Sequence, residues 1–333
     1  MPMSDISSDI LSHIEKANSI LLHCHPSPDP DSVGSVLAMK FALENMGKKV
    51  TAIQGDSVLP KVFLNFPGAK DIEEKSFSSI DLKDFDLFII LDSASKEMIT
   101  REKELIFPLP IKTILIDHHV SNKSYADINF LDISSGATAF TLYNLFLKWK
   151  IKIDHDIALN LFIGMYTDTG GFKYSSTDYK MLEAAATLAK IAPDYTKILF
   201  TLDNSNEKES IFFQALALSS IKTYHNDNLA ISALSRDELR KRNISREDEN
   251  GSLIANILKS VVGWNIGASL VETEPNQIKI SFRTRDADKY DVSKIATALG
   301  GGGHKAASGA VLFSSIDEAV KKVVENTKII YNL

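Results

Sequence analysis

Three short apolar runs, SILLHCH at 19–25, DLFIILD at 86–92 and KTILID at 112–117, each run straight into Asp or His with no turn sequence between. With a fourth run, KVTAIQ at 49–54, and helical patterns over 35–46 and 137–148, they have the rhythm of a parallel sheet with crossover helices. Open α/β sheets place their ligands at the carboxyl ends of strands, which is where these ionisable residues fall.

The densest of these endings is HCHPSPDPDSVGS, residues 23–35, where His23, His25, Asp29 and Asp31 are interleaved with prolines that cannot extend a helix. Asp92 follows in IILDSAS, then Asp117, His118 and His119 in LIDHHVS. A buried-looking helix, DIALNLFIGMYTDTGGF, brings Asp168 to its C-terminal end, where Gly170 and Gly171 supply the stop signal. One Asp after a strand is ordinarily a turn or cap, and one loop histidine is ordinarily solvated. Four such pieces in one half-chain, each after an apolar run, point instead to a shared site.

Gathered in a partly buried site, the carboxylates of Asp29, Asp31, Asp92 and Asp168 would repel strongly unless cations neutralised them. Two divalent metal ions balance four negative charges. Oxygen ligands with some imidazole and no thiolate suit Mn²⁺ first and Mg²⁺ second.

The pattern changes after about residue 190. The reading is a catalytic domain over 1–190, a helical linker over 191–226 around YTKILFTL and EKESIFFQALALSSI, and a smaller α/β domain with a mixed sheet over 227–333. In that last part WNIGASLVE and QIKISFRTR form a hairpin around the EPNQ turn, before the glycine run LGGGGHKAASG and a closing helix from residue 315. Its 333 residues, 44% hydrophobic, supply cores for about two domains. With 37 Lys and Arg against 43 Asp and Glu, the net charge of −6 argues against a basic track for long nucleic acid. The mixed run RDELRKRNISRED reads as a solvated helix and loop. A single cysteine fits a reducing compartment, and no stretch approaches the ~20 apolar residues of a membrane helix. A cytoplasmic protein without a membrane partner is expected.

HPSPDPDSVGS, LDSAS, IDHH, YTDTGGF and GGGGHKAASG, in that order, resemble the successive motifs of the DHH phosphoesterases with their DHH-associated C-terminal domain, in the nanoRNase and pAp phosphatase branch. The resemblance implies a doubly wound, mainly parallel N-terminal sheet with one metal held by His25, Asp29 and Asp92. It implies a second metal held by Asp31, Asp92, His118 and Asp168. His119 would then face the substrate phosphate, and Asp117 would orient an imidazole. In the C-terminal domain, Arg283 would pair with phosphate while Gly302, Gly303 and His304 contact a nucleotide; strand alternation leaves Arg285 as an alternative to Arg283. Ser134, Ser135 and Thr138 sit where the family keeps small hydroxyl residues, and helix capping explains them equally well.

The activity implied is hydrolysis of short RNA or DNA oligonucleotides to mononucleotides, together with removal of the 3′-phosphate of pAp, by a two-metal-activated hydroxide, in a homodimer. A cyclic- or linear-dinucleotide phosphodiesterase shares the architecture. A nucleotide-binding regulator without turnover is the alternative of another class.

Overall fold

The computed structural model describes residues 3–102, 104–245 and 249–333. The chain divides into two compact units, Met1–Ser205 and Asn206–Leu333. The first holds five parallel strands, β1 (Ser19–His23), β2 (Lys49–Ile53), β3 (Leu87–Leu91), β4 (Lys112–Asp117) and β5 (Ile128–Leu131), in the order β2-β1-β3-β4-β5. Its helices are α1 (Met3–Lys16), α2 (Pro30–Asn45), α3 (Thr138–Lys148), α4 (His155–Asp168), α5 (Tyr179–Ile191) and α6 (Tyr195–Asp203).

Strand alternation gives the sheet two covered faces. Ile20, Leu22, Ile89 and Ile116 pack into the core built with α2 to α5, whereas Leu21, Phe88, Ile90 and Leu115 point the other way, onto Phe77, Ile99 and Leu105. Within 191–226, α6 belongs to the first unit, and α7 (Lys208–Ser219) opens the second.

Sequence reading started the second helix at residue 35, but α2 begins at Pro30, with Asp29 as its N-cap accepting from the Ser32 N–H at 2.9 Å. A proline at the first helical position loses no hydrogen bond, because that N–H has no partner within the helix anyway. The apparent helix breaker is thus the helix start, and Asp31 sits in the first turn.

Two glycines set how closely α2 and α4 approach. A Cβ on Gly34 would lie 2.6 Å from the Asn160 carbonyl oxygen, and one on Gly164 would lie 2.5 Å from Asp31 Oδ1 and 2.7 Å from Ala139 Cβ. Gly164→Ala is therefore expected to destabilise the fold by about 1–3 kcal/mol through overpacking. A denaturation midpoint unchanged from wild type would show that the helices have slack.

The second unit has a mixed sheet in the order β10-β11-β9-β8-β7-β6, formed by β6 (Lys222–Tyr224), β7 (Leu229–Leu234), β8 (Ile266–Glu274), β9 (Gln277–Thr284), β10 (Gly302–His304) and β11 (Ala307–Phe313). β7 and β8 are parallel and the other pairs antiparallel. Helices α8 (Arg236–Lys241), α9 (Gly251–Ser260), α10 (Val292–Ala298) and α11 (Ile316–Tyr331) complete the unit. The β8–β9 hairpin turns through Asn276, at φ 59°, a left-handed conformation asparagine tolerates. In the mixed-charge run, α8 carries a capping box between Ser235 and Glu238; residues 246–248 lie outside the described residues.

Candidate metal centre

In the order β2-β1-β3-β4-β5, the chain leaves β1 toward opposite edges of the sheet at β2 and β3, so a crevice opens past their carboxyl ends. The loop after β1 carries His25, Asp29 and Asp31, and Asp92 directly follows β3. Asp92 takes φ 51°, and its N–H still bonds the Ile116 carbonyl at 3.1 Å, so the ladder runs right up to it. Asp117 ends β4, His118 and His119 follow, and Asp168 closes α4.

The two imidazoles named as ligands are oriented alike. His25 Nδ1 lies 3.1 Å from the Pro26 carbonyl oxygen and His118 Nδ1 lies 3.2 Å from that of Ser135. Each Nδ1–H is thereby given to a carbonyl, which turns Nε2 toward carboxylates. His25 Nε2 is 3.8 Å from Asp29 Oδ2 and 3.6 Å from Asp92 Oδ2; His118 Nε2 is 3.6 Å from Asp92 Oδ1 and 3.3 Å from Asp168 Oδ2. Most of these gaps are too long for a good hydrogen bond but suit atoms sharing an ion at ~2.0–2.2 Å from each. Ligand atoms lie within 4.8 Å of one another in three groups: His25, Asp29 and Asp92; Asp31, His118 and Asp168; and Asp92, Asp117, His118 and His119. The donor set fits divalent cations.

Burial and mutual repulsion set the charges. Asp31 is held well above its ordinary value by burial first, then by Asp92, Asp168 and Asp29. Burial chiefly, with repulsion from Asp92 and Asp29, raises Asp168 to about 6. For His25, burial opposes the charge, but the attraction of the Asp29 and Asp92 carboxylates outweighs it and raises the imidazole to about 10. A proton on His25 does part of what a cation would do.

Sequence reading left Thr138 aside as a cap. In fact the N-cap position of α3 is Ala137, which has no side-chain acceptor, and the free N–H groups of Thr138 and Ala139 are taken by Asp31 from another helix, at 2.7 Å and 3.0 Å. The helix end helps hold a buried negative charge. Thr138 Oγ1 donates to Asp92 Oδ1 at 2.9 Å. Asn122 was also missed: its Nδ2 donates to Asp117 Oδ2 at 2.6 Å and to the Ser93 carbonyl at 3.0 Å. Its only sequence signal is its place five residues after Asp117.

Asp117 is fully buried and accepts from His119 Nδ1 at 2.7 Å and from the His118 N–H at 2.8 Å. Burial opposes charging His119, yet Asp117 raises it to about 9. Asp117→Asn is expected to bring the His119 imidazole down from about 9 toward its ordinary value, since the amide cannot hold the same imidazolium; a proton titration of that ring unchanged from wild type by NMR would show that Asp117 does not set it.

His23 and Cys24 play no such part. His23 is fully buried with its ring 5.3 Å from that of Phe88, and burial brings it down to about 4. Burial, then Asp29, pushes the Cys24 thiol up to about 12, which leaves it inert.

In the second unit, Arg283 on β9 and Gly300 to Gly303 line a cavity of about 760 Å³. Gly303 takes φ 136°, and a Cβ there would fall 2.6 Å from Ser308 Cα, so only glycine fits. His304 is exposed at the end of β10. Arg285 lies beyond β9, and its Nη1 is spent on the Val261 carbonyl at 3.1 Å, at the C-terminal end of α9. Lys259, on α9, is lowered by burial and by the charge of Arg283.

Comparison with known proteins agrees with this fold. Residues 19–165 match the DHH family N-terminal domain, and residues 226–328 match the DHHA1 domain. The chain is 26% identical to the bifunctional oligoribonuclease and PAP phosphatase NrnA of Bacillus subtilis over 93% of this chain and 94% of that one. It is 27% identical to the protein of that name in Mycoplasma genitalium, over 96% of this chain and 98% of that one. The crystal structure of an exopolyphosphatase-related protein from Bacteroides fragilis superposes with a TM-score of 0.88 at 24% identity, covering 99% of this chain and 97% of that one, and so shares the fold. The parallel sheet with its carboxylate and imidazole crevice is thus a DHH family N-terminal domain, and the mixed sheet with its glycine-lined cavity is a DHHA1 domain.

Proposed function

We propose that this protein is a divalent-metal phosphoesterase that hydrolyses short oligonucleotides to mononucleotides and converts pAp to AMP. The observation that carries the reading is the pair of imidazole Nε2 atoms that share one carboxylate, His25 at Asp92 Oδ2 and His118 at Asp92 Oδ1, each at 3.6 Å. Its similarity to proteins named oligoribonuclease and PAP phosphatase supports the substrate class.

His25, Asp29 and Asp92 would hold one cation; Asp31, Asp92, His118 and Asp168 would hold the other. Mn²⁺ is the ion of choice, as oxygen and imidazole donors surround the site and the one thiol is inert. When bound, two such cations supply the Lewis acidity that activates water and offsets charge on phosphoryl oxygens. Asp117 keeps His119 in the imidazolium form, able to donate to the phosphate or the leaving oxygen. Asn122 and the His118 N–H fix Asp117, and the α3 N-terminus fixes Asp31. In the second unit Arg283 would take a phosphate through its planar fork, with Gly302 and Gly303 letting backbone approach a nucleotide and His304 offering an imidazole face. The reading includes a cytoplasmic homodimer; no helix among the described residues is long and apolar enough to cross a membrane.

The deciding assay offers di- to pentanucleotides, a long single strand, a cyclic dinucleotide and pAp to the purified protein with Mn²⁺. Release of mononucleotides from the short substrates and AMP from pAp is expected. Preference for the long strand, or for the cyclic dinucleotide over linear ones, would overturn the assignment.

A further inference from the structure

Along β9, Gln277, Lys279, Ser281 and Arg283 share one face, while Ile278, Ile280 and Phe282 are buried on the other. Lys279 is exposed and Gln277 and Arg283 half-buried, while Ser281 between them is covered by the start of α9, where Ser252 Oγ lies 3.5 Å from its Oγ. In the β9–β11 register Val311 stands beside Lys279 and Phe313 beside Gln277, 45% and 80% exposed. Arg283, Lys279, Val311 and Phe313 all line the cavity of about 760 Å³. A second cavity of about 320 Å³ adjoins it through Ser252, Lys279 and Ser281. Among the described residues the one carboxylate lining either cavity is Glu249, whose Oε1 is 2.6 Å from Arg236 Nη1.

A single exposed phenylalanine says little by itself. Here it stands on the same surface as two cations, Lys279 and Arg283. Residues four apart on an antiparallel strand are ~13–14 Å apart. Phe313, beside Gln277, is six positions from Arg283 and so ~20 Å away, a distance that an extended single strand, at about twice the ~3.4 Å stacked spacing, covers in about three nucleotides. Single strands are gripped by cations that track the backbone and aromatic faces that stack on bases, a combination that tolerates any sequence.

We propose that this face of β9 and β11 is a track for a single-stranded oligonucleotide, on which Lys279 and Ser252 meet a second phosphate beyond the one at Arg283 and Phe313 stacks on a base. The track favours substrates of three to four nucleotides over dinucleotides. It deepens the phosphoesterase reading and rests on it.

The test measures KM for di-, tri- and tetranucleotides with wild type, Lys279→Gln and Phe313→Ser, and tryptophan emission of Phe313→Trp titrated with the same oligonucleotides in chelator. Each substitution should raise KM for the tetranucleotide roughly ten-fold more than for the dinucleotide. The tetranucleotide should quench the added tryptophan at concentrations where the dinucleotide does not. Equal changes at every length, or equal quenching by both, would overturn the track. So would a Phe313→Ser chain that turns from dimer to monomer with its length preference intact, which would make the face a contact between copies. If wild type hydrolyses none of the oligonucleotides, the phosphoesterase reading fails, and the quenching titration still decides whether the track binds them.

Discussion

Asp92→Asn is expected to lower Mn²⁺-dependent hydrolysis of a dinucleotide by roughly a thousand-fold or more, because losing metal-borne charge stabilisation costs several kcal/mol in the transition state. The substitution is chosen to change charge and little else. Asparagine tolerates the left-handed backbone at φ 51° and can still accept from Thr138 Oγ1. The chain should therefore fold as before, by circular dichroism. In the absence of metal two effects oppose each other, since removing the Asp92 charge relieves repulsion with Asp31 and Asp168 and also forfeits part of the attraction that holds the His25 proton. Added Mn²⁺ raises the melting temperature of wild type by mass action and should do so far less for the variant. Retention of wild-type turnover by the variant would mean that another site does the chemistry.

What the sequence made legible was chemistry at the ends of apolar runs, since a run that stops on Asp or His carries its own boundary. The β1, β3 and β4 endings were readable for that reason. Contacts made across the fold were not. Asp31 caps α3 from more than a hundred residues away, so neither residue's neighbours signal the pairing. Pro30 was read as a barrier because local rules forbid proline inside helices, yet its neighbour Asp29 makes it the first residue of one. The edge strand β5 is four residues long, too short for a periodic pattern, and β10 is a glycine run that pairs only because β11 lies alongside. Alternation put Arg285 with Arg283, but β9 ends at Thr284, and the two guanidinium groups have different partners.

Mn²⁺ affinity is expected to rise at least about 100-fold between pH 6 and pH 8, because the cation must displace protons that the metal-free site holds. The sign follows from the direction of each shift. Burial works against the charge on His25, but Asp29 and Asp92 raise it to about 10, so across this range every binding event on His25 Nε2 expels one proton. That alone gives about tenfold per pH unit. Asp168, raised to about 6 chiefly by burial, and Asp31, raised by burial and by its carboxylate neighbours, steepen the dependence toward low pH. Stability of the metal-free fold runs the other way: the His25 contribution is fully present below its ordinary 6.5 and is lost as pH climbs through about 10. At fixed Mn²⁺ well above Kd, each tenfold gain in affinity adds about 1.4 kcal/mol of stabilisation. Calorimetric titration at pH 7 in two buffers of different ionisation enthalpy should count at least one proton released per protein. Heats that do not depend on the buffer would mean that His25 carries no proton for the metal to displace, and the charge balance assigned to the Asp92 crevice would have to be redrawn.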